Sequence, residues 1–231
     1  MNSIANIIQT IAVYAIPVLF AITVHEAAHG WTANRLGDNT AAMLGRVTLN
    51  PLKHIDPVGT IAIPLMFVLM ALLNTGQVGF LFGYAKPVPV RFNCLRNPKR
   101  DMIWVALAGP VSNLAQALLW GVLSVLLLPL NGAGVLANFF SSMCGIGVGV
   151  NLMLFALNLF PLPPLDGGRV LVGLLPRSAA ISVSRIEPWG IWIVVALLVT
   201  HVIDWLWLQP LMTFTRWVLN LLLYPLFALV R

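Results

Sequence analysis

Residues 11–30 read IAVYAIPVLFAITVHEAAHG, and this stretch decides the fold. It closes an apolar run that begins near Ile4 and ends at Val24. Such a run is long enough to cross a bilayer core, which takes about 20 residues. It has no basic n-region and no small-residue cleavage site, so it is expected to stay as a span rather than be removed as a signal. The helix should continue to about Asn34 and carry His25, Glu26 and His29 near its end. Composition agrees: 59% of the 231 residues are hydrophobic and 9% charged, against about 45–50% and about 25% in soluble domains. That excludes an ordinary soluble protein and a disordered chain. Two cysteines, Cys94 and Cys144, exclude a disulfide-built secreted module.

Five further apolar runs follow: Val58–Leu73, Asp101–Leu128, Val135–Asn158, Trp189–Leu208 and Pro210–Val230. The expected fold is an all-α polytopic membrane protein of about six transmembrane helices. The net charge of +6 reads as a topology signal and not as a nucleic-acid footprint, because the basic residues do not alternate with exposed aromatics. Arg35, Arg46 and Lys53 follow the first run, and Lys86, Arg91, Arg96, Lys99 and Arg100 precede the third. Arg169, Arg177 and Arg185 lie between the fourth and fifth, and Arg231 ends the chain. Only Arg216 falls inside a run. Lys and Arg gather in cytoplasmic loops, so the N-terminus is expected outside and the C-terminus inside, as in a multi-pass protein of a bacterial inner membrane.

That assignment leaves about 17 residues between Asn74 and Arg91 in which the chain must return to the cytoplasm. They hold Gly76, Gly79, Gly83, Pro87 and Pro89, and interior proline breaks a helix. Either the second run is a hairpin that never crosses, or Gly79–Val90 returns in extended form. Non-helical backbone at membrane depth survives where it is buried in protein or lines a watery cavity. The region Phe80–Val90 should therefore border a polar cavity.

Positions i and i+4 share one helix face, so His25 and His29 can present two imidazoles to one metal ion. Glu26 lies about 100° round the helix and can reach a water on that metal. With four histidines and two glutamates in the chain, the HExxH pattern arises by chance about 6 times in 10,000. A pair of interfacial histidines facing headgroups would not account for Glu26, since an acidic residue at a span centre costs about 2.5–3.5 kcal/mol. Catalytic zinc usually takes three protein ligands and one open position. His54, Asp56, Asp166, His201 and Asp204 are the candidates for the third. Asp166 is favoured, because its run ends on the same membrane side as the HExxH helix. Pro161, Pro163 and Pro164 should unwind the chain before it, and Gly167-Gly168 should let it turn sharply after it. An N-cap role is the plainer alternative for this Asp.

Together these residues resemble the site-2 protease family of intramembrane zinc metalloproteases. The resemblance rests on His25-Glu26-Ala27-Ala28-His29 and on Asn158-x-x-Pro161-x-Pro163-x-x-Asp166-Gly167. Ala108-Gly109-Pro110-Val111-Ser112-Asn113 and Gly83-Tyr84-Ala85-Lys86-Pro87-Val88 add to it, in family order over about residues 20–175. It implies a three-helix catalytic core, one zinc per chain on His25, His29 and Asp166, Glu26 as general base, and Asn158 as a group polarising the scissile carbonyl. It implies a short re-entrant β segment at Thr40–Asn50. The short form is expected, with no stretch long enough for a PDZ or CBS module. The whole chain, 1–231, is then one transmembrane metalloprotease domain, with a core at about 4–175 and accessory helices at about 186–231.

The implied activity is hydrolysis of peptide bonds within or near transmembrane segments of membrane-protein substrates. An upstream protease or a regulatory membrane partner would govern access, and membrane lipid surrounds the chain. Substrate-binding residues and oligomeric state are left unassigned. A membrane metal-ion transporter and a catalytically inactive assembly factor are the competing classes. The first would more often show internal repeats, and the second would not need every catalytic position intact. Gly109 and Asn113 read as helix-packing contacts, and His54 as an interfacial loop residue or a gate. Asp204 and Arg216 read as a pair between the last two helices. No disulfide is expected.

Overall fold

The computed structural model describes residues 2–62, 66, 86–130 and 132–230. Eight α-helices are present among them: α1 (Asn2–Arg35), α2 (Thr40–Met43), α3 (Pro98–Leu126), α4 (Val135–Asn158), α5 (Asp166–Leu174), α6 (Arg177–Ser184), α7 (Glu187–Val199) and α8 (Gln209–Val230). Among the described residues, four stretches are long and apolar enough to cross a membrane: Gln9–Arg35, α3, α4 and Asp204–Val230. The chain is an all-α membrane protein. Most of the expected second span, together with Gly83–Ala85, lies outside the described residues. Its first part, Pro57–Ala62, is a π-helical turn.

The ends of the helices follow from their sequences. α1 stops where Gly37 takes a φ of 115° and the Asp38 N–H donates to Ala33 O at 2.9 Å, a glycine-terminated helix end. α3 opens with Pro98, tolerated there because the first-turn N–H groups have no helical partner. Asp101 reaches back to the Asn97 N–H at 2.8 Å, in the manner of a capping box.

α3 is the central helix. Its buried positions, Asp101, Val105, Gly109, Asn113, Gln116, Ala117, Gly121 and Val125 among them, recur every three to four residues. They pack against α1, α4, α5 and α8. The polarity is inside out. Thr23, His25, His29, Asn113, Gln116 and Asn151 are buried, while Phe20, Trp31, Leu119, Leu123, Trp205, Leu221 and Leu222 are exposed. In water such a surface would aggregate; against lipid it is the low-energy arrangement, with polar groups paired inside the bundle. Two of those polar groups tie α1, α3 and α4 together. Asn113 Nδ2 donates to Ala21 O (3.2 Å) and Asn151 Oδ1 (3.0 Å), and Asn151 Nδ2 donates to Gly147 O (2.9 Å). Hydrogen bonds of this kind average about 0.6 kcal/mol in membranes.

The structure departs from the sequence reading in the loop after α1 and in the last two helices. Thr40–Asn50 is not a β segment: Thr40–Met43 form a helical turn, Gly45 closes it at φ 63°, and no strand is present among the described residues. Ala41, Ala42 and Met43 favour helix, and the buried Ala41 anchors the turn. The turn expected at Gln209-Pro210 is displaced to Thr200-His201, where His201 takes a φ of 56°. Asp204–Leu208 form a π turn that runs straight into α8, and Pro210 stands directly after it, where the local π adjustment accommodates a residue without an N–H. α7 has 13 residues, too few to span alone, and meets α6 at a 64° bend. The same shift removes the expected Asp204–Arg216 pair. Both residues lie on one continuous helix, about 18 Å apart along its axis, and Gln209 Nε2 donates to Asp204 Oδ1 instead (3.3 Å).

Candidate metal centre

α1 and α3 cross where Gly109 faces His25 and His29. A Cβ on Gly109 would stand against His29 Nε2 and 2.6 Å from His25 Nε2. The absent side chain is the space into which the two imidazoles project. Each ring is turned by a partner on α3. His25 Nδ1 lies 2.6 Å from Asn113 Oδ1, and His29 Nδ1 lies 2.7 Å from the Val105 carbonyl. Asn113 spends its amide N–H groups on Ala21 O and Asn151 Oδ1, so its oxygen is the atom facing His25. Both acceptors are oxygens, so both Nδ1 atoms donate, and both Nε2 atoms carry lone pairs. This is the tautomer a metal requires.

The third group arrives from α5. Asp166 is the first residue of that helix, and Leu165 stands at the cap; the N-cap reading of Asp166 therefore does not hold. Its Oδ2 lies 3.3 Å from His25 Nε2 and 3.3 Å from His29 Nε2, and the two Nε2 atoms are 3.0 Å apart. All three side chains are buried, and Asp166 Oδ2 has no hydrogen-bond donor. Three lone pairs thus face one point inside the protein. Left to themselves they repel. A tetrahedral zinc with bonds of about 2.0–2.1 Å would set its ligand atoms about 3.3–3.4 Å apart, close to the spacing found. The residues fit a zinc ion, and three protein ligands are the number a catalytic zinc site uses.

Gly109→Ala tests this cradle. On propensity alone alanine would favour the helix by about 1 kcal/mol. Here the added carbon displaces both imidazoles, and zinc affinity is expected to fall by at least the 10–100-fold (order of magnitude) typical of a disturbed metal shell. Competition against a chromophoric chelator measures it, and unchanged affinity would refute the cradle.

The arm before Asp166 is non-helical, as its prolines require, but its glycines do a different job from the one expected. Gly167 and Gly168 lie inside α5 and do not make a turn. A Cβ on Gly167 would strike the Leu159 backbone, and one on Gly168 the backbone at Leu162 and Pro163. They let the start of α5 lie directly on its own arm. Gly190 of α7 meets the same arm at Pro163, so an accessory helix braces the strip that holds Asp166.

Glu26 is half-buried beside the centre. Its Oε2 accepts the Val88 N–H at 2.7 Å. Asn158 ends α4, where its Nδ2 donates to Leu154 O at 3.0 Å. His54 is not at the centre. It is buried, its Nε2 donates to Thr48 O at 3.0 Å, and its carbonyl accepts the Lys86 N–H at 3.0 Å. Asp56 Oδ1 accepts the Gly59 N–H. Nothing joins His201 or Asp204 to the cluster. Cys94 and Cys144 are free thiols, and burial pushes Asp38 in the loop after α1 up in pKa, but the Thr40 hydroxyl, the Thr40 amide and the Arg91 amide outweigh it and hold the carboxyl below its ordinary value.

Sequence reasoning missed Gly109 and Asn113 as parts of the site. Asn113 is fully buried and fixes the His25 ring. The signal that could have found both was their spacing: i and i+4 on one helix face, next to two histidines with the same spacing.

Comparison with known proteins gives several relatives, among them the following three. A Bacillus subtilis (strain 168) protein with the provisional name zinc metalloprotease YwhC is 38% identical over 188 residues, 80% of this chain and 79% of the relative. A Mycolicibacterium smegmatis protein with the provisional name zinc metalloprotease Rip2 is 32% identical over 189 residues, 80% of this chain and 66% of the relative. The Rip2 of Mycobacterium tuberculosis strain H37Rv is 33% identical over 153 residues, 64% of this chain and 52% of the relative. The match thus spans about half of that last protein. No family model matches the chain, and no solved structure matches it.

Proposed function

The chain belongs to the site-2 protease family of zinc metalloproteases, and from that premise we propose that it is an intramembrane endopeptidase cutting peptide bonds within or beside transmembrane segments. The observation that carries this reading is the convergence of His25 Nε2, His29 Nε2 and Asp166 Oδ2 inside an apolar bundle, one residue from Glu26. Those three residues hold one zinc per chain. Zinc supplies Lewis acidity toward water and carbonyl oxygen. Glu26 takes the proton of the attacking water and returns it to the leaving amine. Asn158 donates to the scissile carbonyl as charge develops on its oxygen, a contribution of about 3 kcal/mol when a donor is well aimed. Its Nδ2 carries two N–H groups; one is donated to Leu154 O and the second serves the substrate.

Residues 1–231 act as one metalloprotease domain on the core trio α1, α3 and α4. The orientation, with N-terminus outside and the active site opening to the cytoplasm, rests on the distribution of Lys and Arg, and the count of six spans on the apolar runs. The substrate is a transmembrane protein whose helix must unwind locally to offer a carbonyl, so helix-breaking residues near the cut favour it. An upstream protease or a membrane partner controls access.

Reconstitution in liposomes with a single-span model substrate tests the reading. Cleavage is expected, to be abolished by a zinc chelator and restored by added zinc. Zinc flux without cleavage would identify a transporter instead, and a zinc-loaded protein that neither cuts nor conducts would identify an inactive assembly factor.

A further inference from the structure

Lys86–Arg91, Lys-Pro-Val-Pro-Val-Arg, is a non-helical strap laid across α1. It crosses the face that holds Glu26 and Gly30, which are one turn apart. Gly30 makes the room: a Cβ there would lie 3.0 Å from Val88 Cγ1 and 3.1 Å from Val47 Cγ2. The loop after α1 fastens the strap at three points. Arg46 Nη2 donates to Lys86 O at 2.7 Å and reaches Pro87 O at 3.5 Å. His54 O accepts the Lys86 N–H at 3.0 Å, and Asp38 Oδ2 accepts the Arg91 N–H at 2.6 Å. Between these fixings the buried Val88 turns its N–H onto Glu26 Oε2 at 2.7 Å.

Arg46 is the unusual member. It is 9% exposed, its Nε is buried without a partner, and no carboxylate forms an ion pair with it among the described residues. A buried charge without a counter-ion is costly. Its Nη2 is spent on the carbonyls of Lys86 and Pro87, the two residues that precede the amide holding Glu26.

We propose that Arg46 is a positioning residue for the general base. It sets the strap so that the Val88 N–H holds one oxygen of Glu26 and leaves the other free to take a proton. This rests on the endopeptidase reading above. It also assigns the strap away from a role as a docking edge for substrate backbone. Strand addition needs a row of free amides. Pro87 and Pro89 have none, and those of Lys86, Val88 and Arg91 are already engaged.

The test uses the full chain in liposomes with a single-span substrate, zinc content measured alongside. Arg46→Ala is expected to lower kcat by about 10–100-fold, the size of a misaimed catalytic group, with KM within about twofold and zinc still at one per chain. Arg46→Lys, which keeps a cationic donor, should recover most of the loss. In a Glu26→Gln background, which cannot turn over, substrate should bind equally well with and without Arg46→Ala. Val88→Pro deletes one amide proton in a segment already flanked by prolines, and its kcat should fall about tenfold or more below that of Val88→Ala, which keeps the N–H. Intact kcat in Arg46→Ala overturns the proposal. So does weakened substrate binding in the Glu26→Gln background, which would make the strap a docking edge after all. Equal losses in the two Val88 variants also overturn it, and that pair decides alone if Arg46→Ala sheds its zinc. A zinc-loaded wild type that cuts nothing would instead remove the endopeptidase reading itself.

Discussion

Asp166→Ala will leave the protein without zinc, while His54→Ala will keep it. The centre is three lone pairs facing one point, two from imidazoles on α1 and one from the carboxylate on α5. The carboxylate supplies the only negative charge among the three ligands. Removing it leaves two neutral nitrogens, fewer than a catalytic zinc uses. Loss of an outer-shell partner alone costs about 10–100-fold in metal affinity, and loss of a ligand must cost more. His54 is equally buried and equally able to bind metal in isolation. Its Nε2 is committed to Thr48 O, and it lies outside the cluster. The measurement is zinc per chain in detergent-purified protein after gel filtration: one for wild type and His54→Ala, none for Asp166→Ala. Zinc retained without Asp166 would mean that another carboxylate or histidine closes the site.

The two imidazoles were legible in the sequence because helical spacing fixes their relation without any knowledge of the rest of the chain. Asp166 was legible one step further, through matched depth and the three prolines ahead of it. What tertiary contact decides was not. Gly109 and Asn113 looked like packing residues, because their roles depend on which face of α3 meets α1, some 76 to 88 residues away in sequence. Gly167 and Gly168 were seen as special, but for a turn; their use is the close approach of a helix to its own arm. The last two helices were misdivided at Gln209-Pro210. A proline signals a break inside a helix, but here a π turn carries the helix past it, and only the backbone at His201 reveals where the chain bends. The β segment at Thr40–Asn50 came from resemblance alone, and the local alanines overrode it.

Glu26→Gln will abolish cleavage and leave the zinc in place. General acid–base catalysis by a positioned side chain is worth about 10²–10⁴-fold, or about 2.7–5.5 kcal/mol of barrier, and kcat should fall by that factor. The substitution is a sharp one here because of how Glu26 is held. Its Oε2 accepts a hydrogen bond from the Val88 N–H, and a glutamine carbonyl oxygen accepts the same bond. Size, place and anchoring survive; the ability to take a proton does not. His25, His29 and Asp166 are untouched, so zinc should remain at one per chain and thermal stability should match wild type. A transporter would behave otherwise, since a carboxylate beside the pathway changes ion passage and there is no cleavage to lose. An assembly factor would show no difference in proteolysis between the two proteins. Cleavage that persists at the wild-type rate in the Glu26→Gln variant would leave the metal centre standing but move the proton transfer to a group other than the one beside it.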